Sequence, residues 1–317
     1  MLDHILVPLD GSSLAECVLP HVIAIAKAFN AQITLVHVLN HALPKQDPLD
    51  WYLKRSAATL YLSTIQTRLE AYQLSVEINL LEGNAAEKII ELAASTQTDL
   101  LILSGYGETT VDGDGVSSIV QKILQRVRTS TLIIRTCQPD TVFADDLRYQ
   151  RLLVPLDGSQ RAGSALIMAA ALAEAYHSEL LLVHVVSKPE MARHMPLNQE
   201  DTDLLNRFIE RNQEEGNKYL EQMHDHLPVH PKTRLLVSDN VAATLQTVSE
   251  QEQIDLMVLS AHGYSGEARW PYGSITNRFI TNGTTPLLIV QDLQVESPET
   301  ARLGIETRQP LRLTYDR

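Results

Sequence analysis

The sequence predicts an α/β protein made of two tandem domains, each a five-stranded parallel sheet with helices on both faces. Three observations predict it. The chain repeats itself: Ile5-Leu-Val-Pro-Leu-Asp-Gly-Ser12 returns as Leu152-Leu-Val-Pro-Leu-Asp-Gly-Ser159. Leu35-Val-His-Val38 then matches Leu182-Val-His-Val185, and Asp99-Leu-Leu-Ile-Leu-Ser-Gly-Tyr-Gly107 matches Asp255-Leu-Met-Val-Leu-Ser-Ala-His-Gly263. Thr131-Leu-Ile-Ile134 matches Leu287-Leu-Ile-Val290, in the same order along the chain. A repeat this long marks a duplicated domain rather than a solenoid unit. Second, the apolar runs are short, continuous and rich in Val, Ile and Leu, as strands covered on both faces must be. Third, they alternate with helix-length segments, which calls for a parallel sheet with helices on both sides.

In the first copy, strands are expected near 4–9, 31–39, 75–82, 99–104 and 131–136. Helices are expected near 13–29, 50–73, 85–97 and 117–129. Ser13-Leu-Ala-Glu16 and Asn84-Ala-Ala-Glu87 both read as capping boxes, which start helices by satisfying free N–H groups. In the second copy, strands are expected near 151–156, 179–186, 232–238, 255–260 and 286–291, and helices near 159–176, 201–226, 241–251 and 274–282. The division falls in the polar connector Gln138-Pro-Asp-Thr-Val-Phe-Ala-Asp-Asp146. The expected layout is a first domain over 1–140, a linker over 141–150, a second domain over 151–293 and a tail over 294–317.

The 317 residues are 44% apolar and 21% charged, enough for two ordinary globular cores. A net charge of −13 disfavours nucleic acid or an anionic membrane as partner, since both require a basic surface. No apolar run is long enough to cross a bilayer. Met1-Leu-Asp-His-Ile-Leu-Val-Pro8 lacks the layout of a signal peptide, so a cytoplasmic location is expected. Cys17 and Cys137 are expected to be free thiols in a reducing compartment.

In a doubly wound sheet, ligands sit beyond the carboxyl ends of the strands where strand order reverses. With one reversal among five strands, strands one and four flank that crevice. They end at Asp10 and Ser104-Gly105 in the first copy, and at Asp157 and Ser260-Ala261 in the second. A carboxylate there can accept from ribose hydroxyls or an adenine amine. Gly273-Ser274 opens a helix, whose free N–H groups and dipole favour phosphate. Arg269 in the same loop adds a positive charge. The plainer reading is that Asp before Gly-Ser forms a turn and an N-cap, and that Gly263 is a turn glycine. His37 and His184, at matching strand positions, read as core histidines. His224, His226 and His230 cluster without a ligand pattern for a metal. There is no catalytic triad, no nucleophile elbow and no G-x4-G-K-[ST] loop, so no enzyme activity beyond slow ATP hydrolysis is expected.

These residues resemble the universal stress protein family. The opening ILVPLDGS is similar to that family's first strand and turn. Its nucleotide-binding members carry G-x2-G-x9-G-[ST] after strand four. The second copy has Ser260-Ala-His-Gly263, nine residues, then Gly273-Ser274, so serine stands for the first glycine. The first copy has Ser104-Gly-Tyr-Gly107, nine residues, then Ser117-Ser118, so serine stands for the first and third. The resemblance covers both copies. It implies two Rossmann-like domains of the adenine nucleotide alpha hydrolase kind and a role in stress response. It also implies ATP or a related adenine nucleotide, with or without Mg²⁺. In the second copy the base would lie near Pro155, Asp157 and Val185. Ribose and phosphates would meet Ser260, His262, Gly263, Gly273, Ser274 and Ile275, with Arg269 beside them. The matching first-copy positions are Asp10, Val38, Ser104, Gly107, Ser117, Ser118 and Ile119.

The first copy's loop carries Glu108, Asp112 and Asp114, which oppose a triphosphate; the second copy's loop carries Glu267 and Arg269. Nucleotide binding is therefore expected mainly in the second copy. A scaffold that binds no nucleotide, engaging a protein partner, and a slow ATPase are the alternatives. The family commonly dimerises through its last strand. Here 131–136 and 286–291 would pair within one chain as a pseudo-dimer, with a homodimer of such units as a further level, because an apolar edge strand must be covered.

Overall fold

The computed structural model describes residues 2–40, 48–106, 116–135, 147–188, 199–263 and 271–291. The first copy runs β1 (His4–Pro8), α1 (Ser13–Glu16), α2 (Leu19–Phe29), β2 (Gln32–Leu39), α3 (Pro48–Glu70), β3 (Val76–Glu82), α4 (Ala85–Ser95), β4 (Leu100–Ser104), α5 (Ser118–Leu124) and β5 (Ser130–Ile134). The second runs β6 (Arg151–Leu156), α6 (Gln160–Tyr176), β7 (Glu179–Ser187), α7 (Gln199–His226), β8 (Lys232–Ser238), α8 (Val241–Gln251), β9 (Leu256–Ser260), α9 (Ser274–Asn282) and β10 (Leu287–Val290).

All ten strands form one sheet of order β3-β2-β1-β4-β5-β10-β9-β6-β7-β8. Within each copy, neighbouring strands are parallel and order reverses between the first and fourth strands. At the centre β5 and β10 pair antiparallel, with Leu132 opposite Leu288. The two last strands thus cover each other's edges within the chain. All four residues of β10 and four of the five in β5 are buried, and an exposed edge of that composition would seek another strand.

The inner strands are largely apolar because each feeds two cores. Ile5, Val7 and Leu9 enter one, built with α2, α3, α6 and α7. Leu6, between them, enters the other, built with α4, α5, α8 and α9. This is the period-two alternation of a strand, and each core runs across both copies.

Element existence and order agree with the sequence reading, and three local readings are corrected. The helix expected over 13–29 is two helices, with the break at Cys17 and Val18. Pro20 lacks an N–H and its ring would crowd the carbonyl four residues earlier, so a helix begun at Ser13 cannot run through it. The cap of α1 is Ser12, not Ser13: its side chain accepts from the Ala15 N–H. The Asn84 cap is as read, accepting from the Glu87 N–H. Cys17 is not a free thiol but disulfide-bonded; a distant pairing has no local signature, and Cys137 lies outside the described residues. The tail over 294–317 and residues 141–146 of the linker also lie outside them.

Candidate functional site

The order reversal sets the ends of β1 and β4 side by side, and likewise β6 and β9. Asp10 and Asp157 are exposed just beyond β1 and β6. Asp10 Oδ1 accepts from the Ser12 N–H at 2.9 Å and from the Ser12 hydroxyl at 2.6 Å. Asp157 Oδ1 accepts from the Ser159 N–H at 2.9 Å. Ser12 and Ser159 then cap α1 and α6. One carboxylate oxygen of each Asp therefore shapes the turn, as the plainer reading holds.

Gly263 lies against the other oxygen. A Cβ at Gly263 would stand 2.4 Å from Asp157 Oδ2, so with the carboxylate in this position the loop approaches it through a glycine. Gly273 sits one layer out. Its N–H donates to the Ala261 carbonyl at 2.8 Å, and among the described residues no side chain caps α9. The start of α9 thus faces the loop with its own N–H groups. Ser274 is exposed at that start and Ile275 is half-buried. Ser260 does not point its hydroxyl outward: it donates to the His262 carbonyl at 2.8 Å. Thr276 ties α9 to β9 by donating to the Ser260 carbonyl at 2.9 Å. Pro155 in β6 and Val185 in β7 are half-buried.

In the first copy Asp10, Val38, Ser104 and Ser117 line one cleft of about 100 Å³, with Tyr106 and Ile119. Ser118, the first residue of α5, is exposed. The Ser117 N–H donates to the Gly105 carbonyl at 2.8 Å, the counterpart of the Gly273 bond. Its hydroxyl, however, accepts from the Val120 N–H at 3.3 Å and caps α5. The Ser104 hydroxyl donates to the Leu14 carbonyl at 2.9 Å. Gly107 and Arg269 lie outside the described residues, as do Glu108, Asp112, Asp114 and Glu267.

Behind each Asp the fold repeats an arrangement that the sequence reading noticed only in part. His37 Nδ1–H donates to the Leu9 carbonyl at 2.8 Å, and His184 Nδ1–H to the Leu156 carbonyl at 2.7 Å. Each ring meets a tyrosine edge-on, Tyr61 from α3 and Tyr219 from α7. Burial pushes both phenols up, with the Glu16 and Asp10 carboxylates adding to it at Tyr61 and Asp157 at Tyr219. These histidines lock the strand end that carries the Asp. The tyrosines escaped the sequence reading. Their signal is the pair Tyr-Leu, present at 61–62 and 219–220, whose Leu is buried in both helices.

Among the described residues no group of three metal-binding side chains gathers, His224, His226 and His230 included. No described helix is long and apolar enough to cross a membrane.

Comparison with known proteins adds the following. The model of the universal stress protein family matches residues 1–135 and again 148–291. A universal stress protein of Methanocaldococcus jannaschii is 23% identical over 141 residues, covering 43% of this chain and 83% of its own. The crystal structure of a universal stress protein from Archaeoglobus fulgidus superposes with a TM-score of 0.63 at 17% identity, covering 92% of this chain and 99% of its own. A functionally unknown protein from Pseudomonas aeruginosa superposes with a TM-score of 0.68 at 13% identity, covering 96% and 95%. At these identities the superpositions show a shared fold that spans both copies.

Proposed function

The chain belongs to the universal stress protein family, matched once in each copy, and from that premise we propose that it binds ATP or a related adenine nucleotide, mainly in the second copy, as a cytoplasmic regulatory module. One observation carries the reading: α9 begins at Gly273 with no side-chain cap, beside a loop that Gly263 brings onto Asp157. A helix start whose N–H groups no described side chain takes favours an anion. The base would rest against Val185 with Asp157 accepting from the ribose or the adenine amine. Mg²⁺ would enter with the nucleotide and screen its charge. Nothing on the described surface supplies a base and nucleophile for fast hydrolysis, so the proposed role is binding, with partner choice as its output.

The test is calorimetric titration of ATP into the wild type and Gly273→Asp, with mass spectrometry of any small molecule released on denaturation. The nearest atom to a Cβ at Gly273 is 3.5 Å away, so a side chain can start there, and an aspartate both caps the α9 N–H groups and places negative charge at the helix start. One site per chain that the substitution abolishes is the expected result. No released nucleotide and no heat at millimolar ATP would overturn the reading in favour of a scaffold. A second reading has its own support. The first-copy cleft, at about 100 Å³, is smaller than a full nucleotide needs. It suits no more than a base, and adenine binding that survives Gly273→Asp would reveal it.

A further inference from the structure

We infer that Arg135, supplied by the first copy, is a positioning residue for the phosphate-facing helix of the second copy and links the two clefts. Arg135 follows β5 at the central seam. Its Nη1–H donates to the Gly283 carbonyl and its Nη2–H to the Ile280 carbonyl. Those carbonyls close α9, the helix whose other end carries Gly273 and Ser274. The last carbonyls of a helix lack intrahelical partners, and a cation there complements the helix dipole. The last turn of α9 has no basic residue of its own. A guanidinium engages two carbonyls at once and so fixes the direction of the helix end as well as its charge.

The stem of the same side chain rests on the first copy's loop. A Cβ at Gly105 would stand 2.9 Å from Arg135 Cγ, so the loop and the arginine are in direct contact. Tyr106, the next residue of that loop, lines the first-copy cleft. Arg135 therefore stands between the wall of one cleft and the helix that builds the other. Only one side of the seam carries such an arginine. The Gly105 N–H donates to Ile134 and the Ala261 N–H to Val290, so the counterpart of Arg135 is Gln291, which carries no charge. Whatever fills or moves the first-copy cleft acts on Gly105 and Tyr106, and through Arg135 on α9.

The phosphate consequence rests on the nucleotide reading above; the coupling itself does not. The experiment compares wild type with Arg135→Gln, Arg135→Lys and Gly105→Ala, by hydrogen exchange without ligand and by titration with ATP and adenosine. Arg135→Gln should speed exchange in α9 about three- to tenfold, leave α8 unchanged, and weaken ATP by a similar factor. Adenosine affinity should change less than about twofold, because the helix end acts on phosphate. Arg135→Lys should fall between, keeping the charge and losing the fork. Gly105→Ala, although in the first copy, should speed exchange in α9 of the second. If Arg135→Gln does not fold, the lysine and alanine variants carry the comparison. Unchanged α9 exchange in them, or a Gly105→Ala effect confined to the first copy, would overturn the inference. If wild type binds no nucleotide, the nucleotide reading falls separately and the exchange results still decide the coupling.

Discussion

In the first copy Ser117 turns its hydroxyl onto the Val120 N–H, whereas in the second copy Gly273 leaves the start of α9 without a side-chain cap. The backbone around the two positions is the same, down to the 2.8 Å bond from each N–H to the loop after the fourth strand. The copies therefore differ in what the helix start is used for, not in how it is built. A capped start is stabilised from within; an uncapped one keeps its donors for something outside. The same contrast appears at the helix after the first strand. His21 in α2 is buried and bonded to the Tyr149 hydroxyl at 2.8 Å. By the alignment of the repeats its counterpart in α6 is Met168, an apolar side chain on the same core. One copy carries a polar tie to its neighbour where the other carries plain packing.

The largest expected effect tests that second contrast. Burial lowers the His21 pKa to about 4 from the model-peptide value of 6.5. Above pH 6.5 the ring is neutral folded or unfolded, and its contribution is complete. As pH falls towards 4 the unfolded chain takes up the proton first, so stability is lost until the folded ring also protonates. The span corresponds to about 3 kcal/mol. His21→Met makes the first copy like the second and should flatten this part of the stability–pH profile, measured by urea unfolding between pH 4 and 7. The slope is the readout, because leaving the Tyr149 hydroxyl unpaired lowers stability at every pH. An unchanged slope would mean that the seam is not where protonation acts.

The next effect concerns the second cleft alone. Gly263→Ala places a methyl 2.4 Å from Asp157 Oδ2. The exposed carboxylate must swing away from its Ser159 turn or the loop must shift. ATP should bind at least tenfold more weakly, while Ser260→Ala, which removes only a hydroxyl tied to the His262 carbonyl, should bind ATP nearly as wild type. Equal losses in the two variants, read by calorimetry and thermal unfolding, would show that the approach of Gly263 to Asp157 is not what shapes the site.

Much of this was legible before the structure. The repeat fixes two copies, the continuous apolar runs fix buried parallel strands, and the positions of Asp10 and Asp157 mark the crevice. The pairing of β5 with β10 follows from two apolar last strands that need covering. What periodicity could not carry is side-chain direction. Ser104 and Ser260 occupy glycine positions of the motif, and nothing in the sequence says that their hydroxyls bond back to nearby carbonyls. Tyr61 and Tyr219 lie on helices whose register against the Asp turn only the packed fold determines. Arg135 reaches from one copy to α9 of the other, a contact separated by more than a hundred residues with no counterpart at Gln291.

The smallest effect is the most direct test of the first contrast. Ser117→Ala removes a cap and should cost about 1 kcal/mol, and Ser117→Gly only a few tenths. Gly273→Ser should do the reverse. The backbone there has φ −64° and ψ 162°, which serine adopts without strain, and a Cβ meets nothing closer than 3.5 Å. The new hydroxyl caps α9, adding a few tenths of a kcal/mol by urea unfolding and weakening ATP about threefold by competing for the same N–H groups. If Gly273→Ser is more stable and binds ATP as tightly as before, the helix start and the phosphates do not share donors. Ser117→Gly then separates cap from charge in the first copy. Gained ATP binding would assign the difference between the copies to the cap. No gain would assign it to Glu108, Asp112 and Asp114, whose charges would still oppose the phosphates.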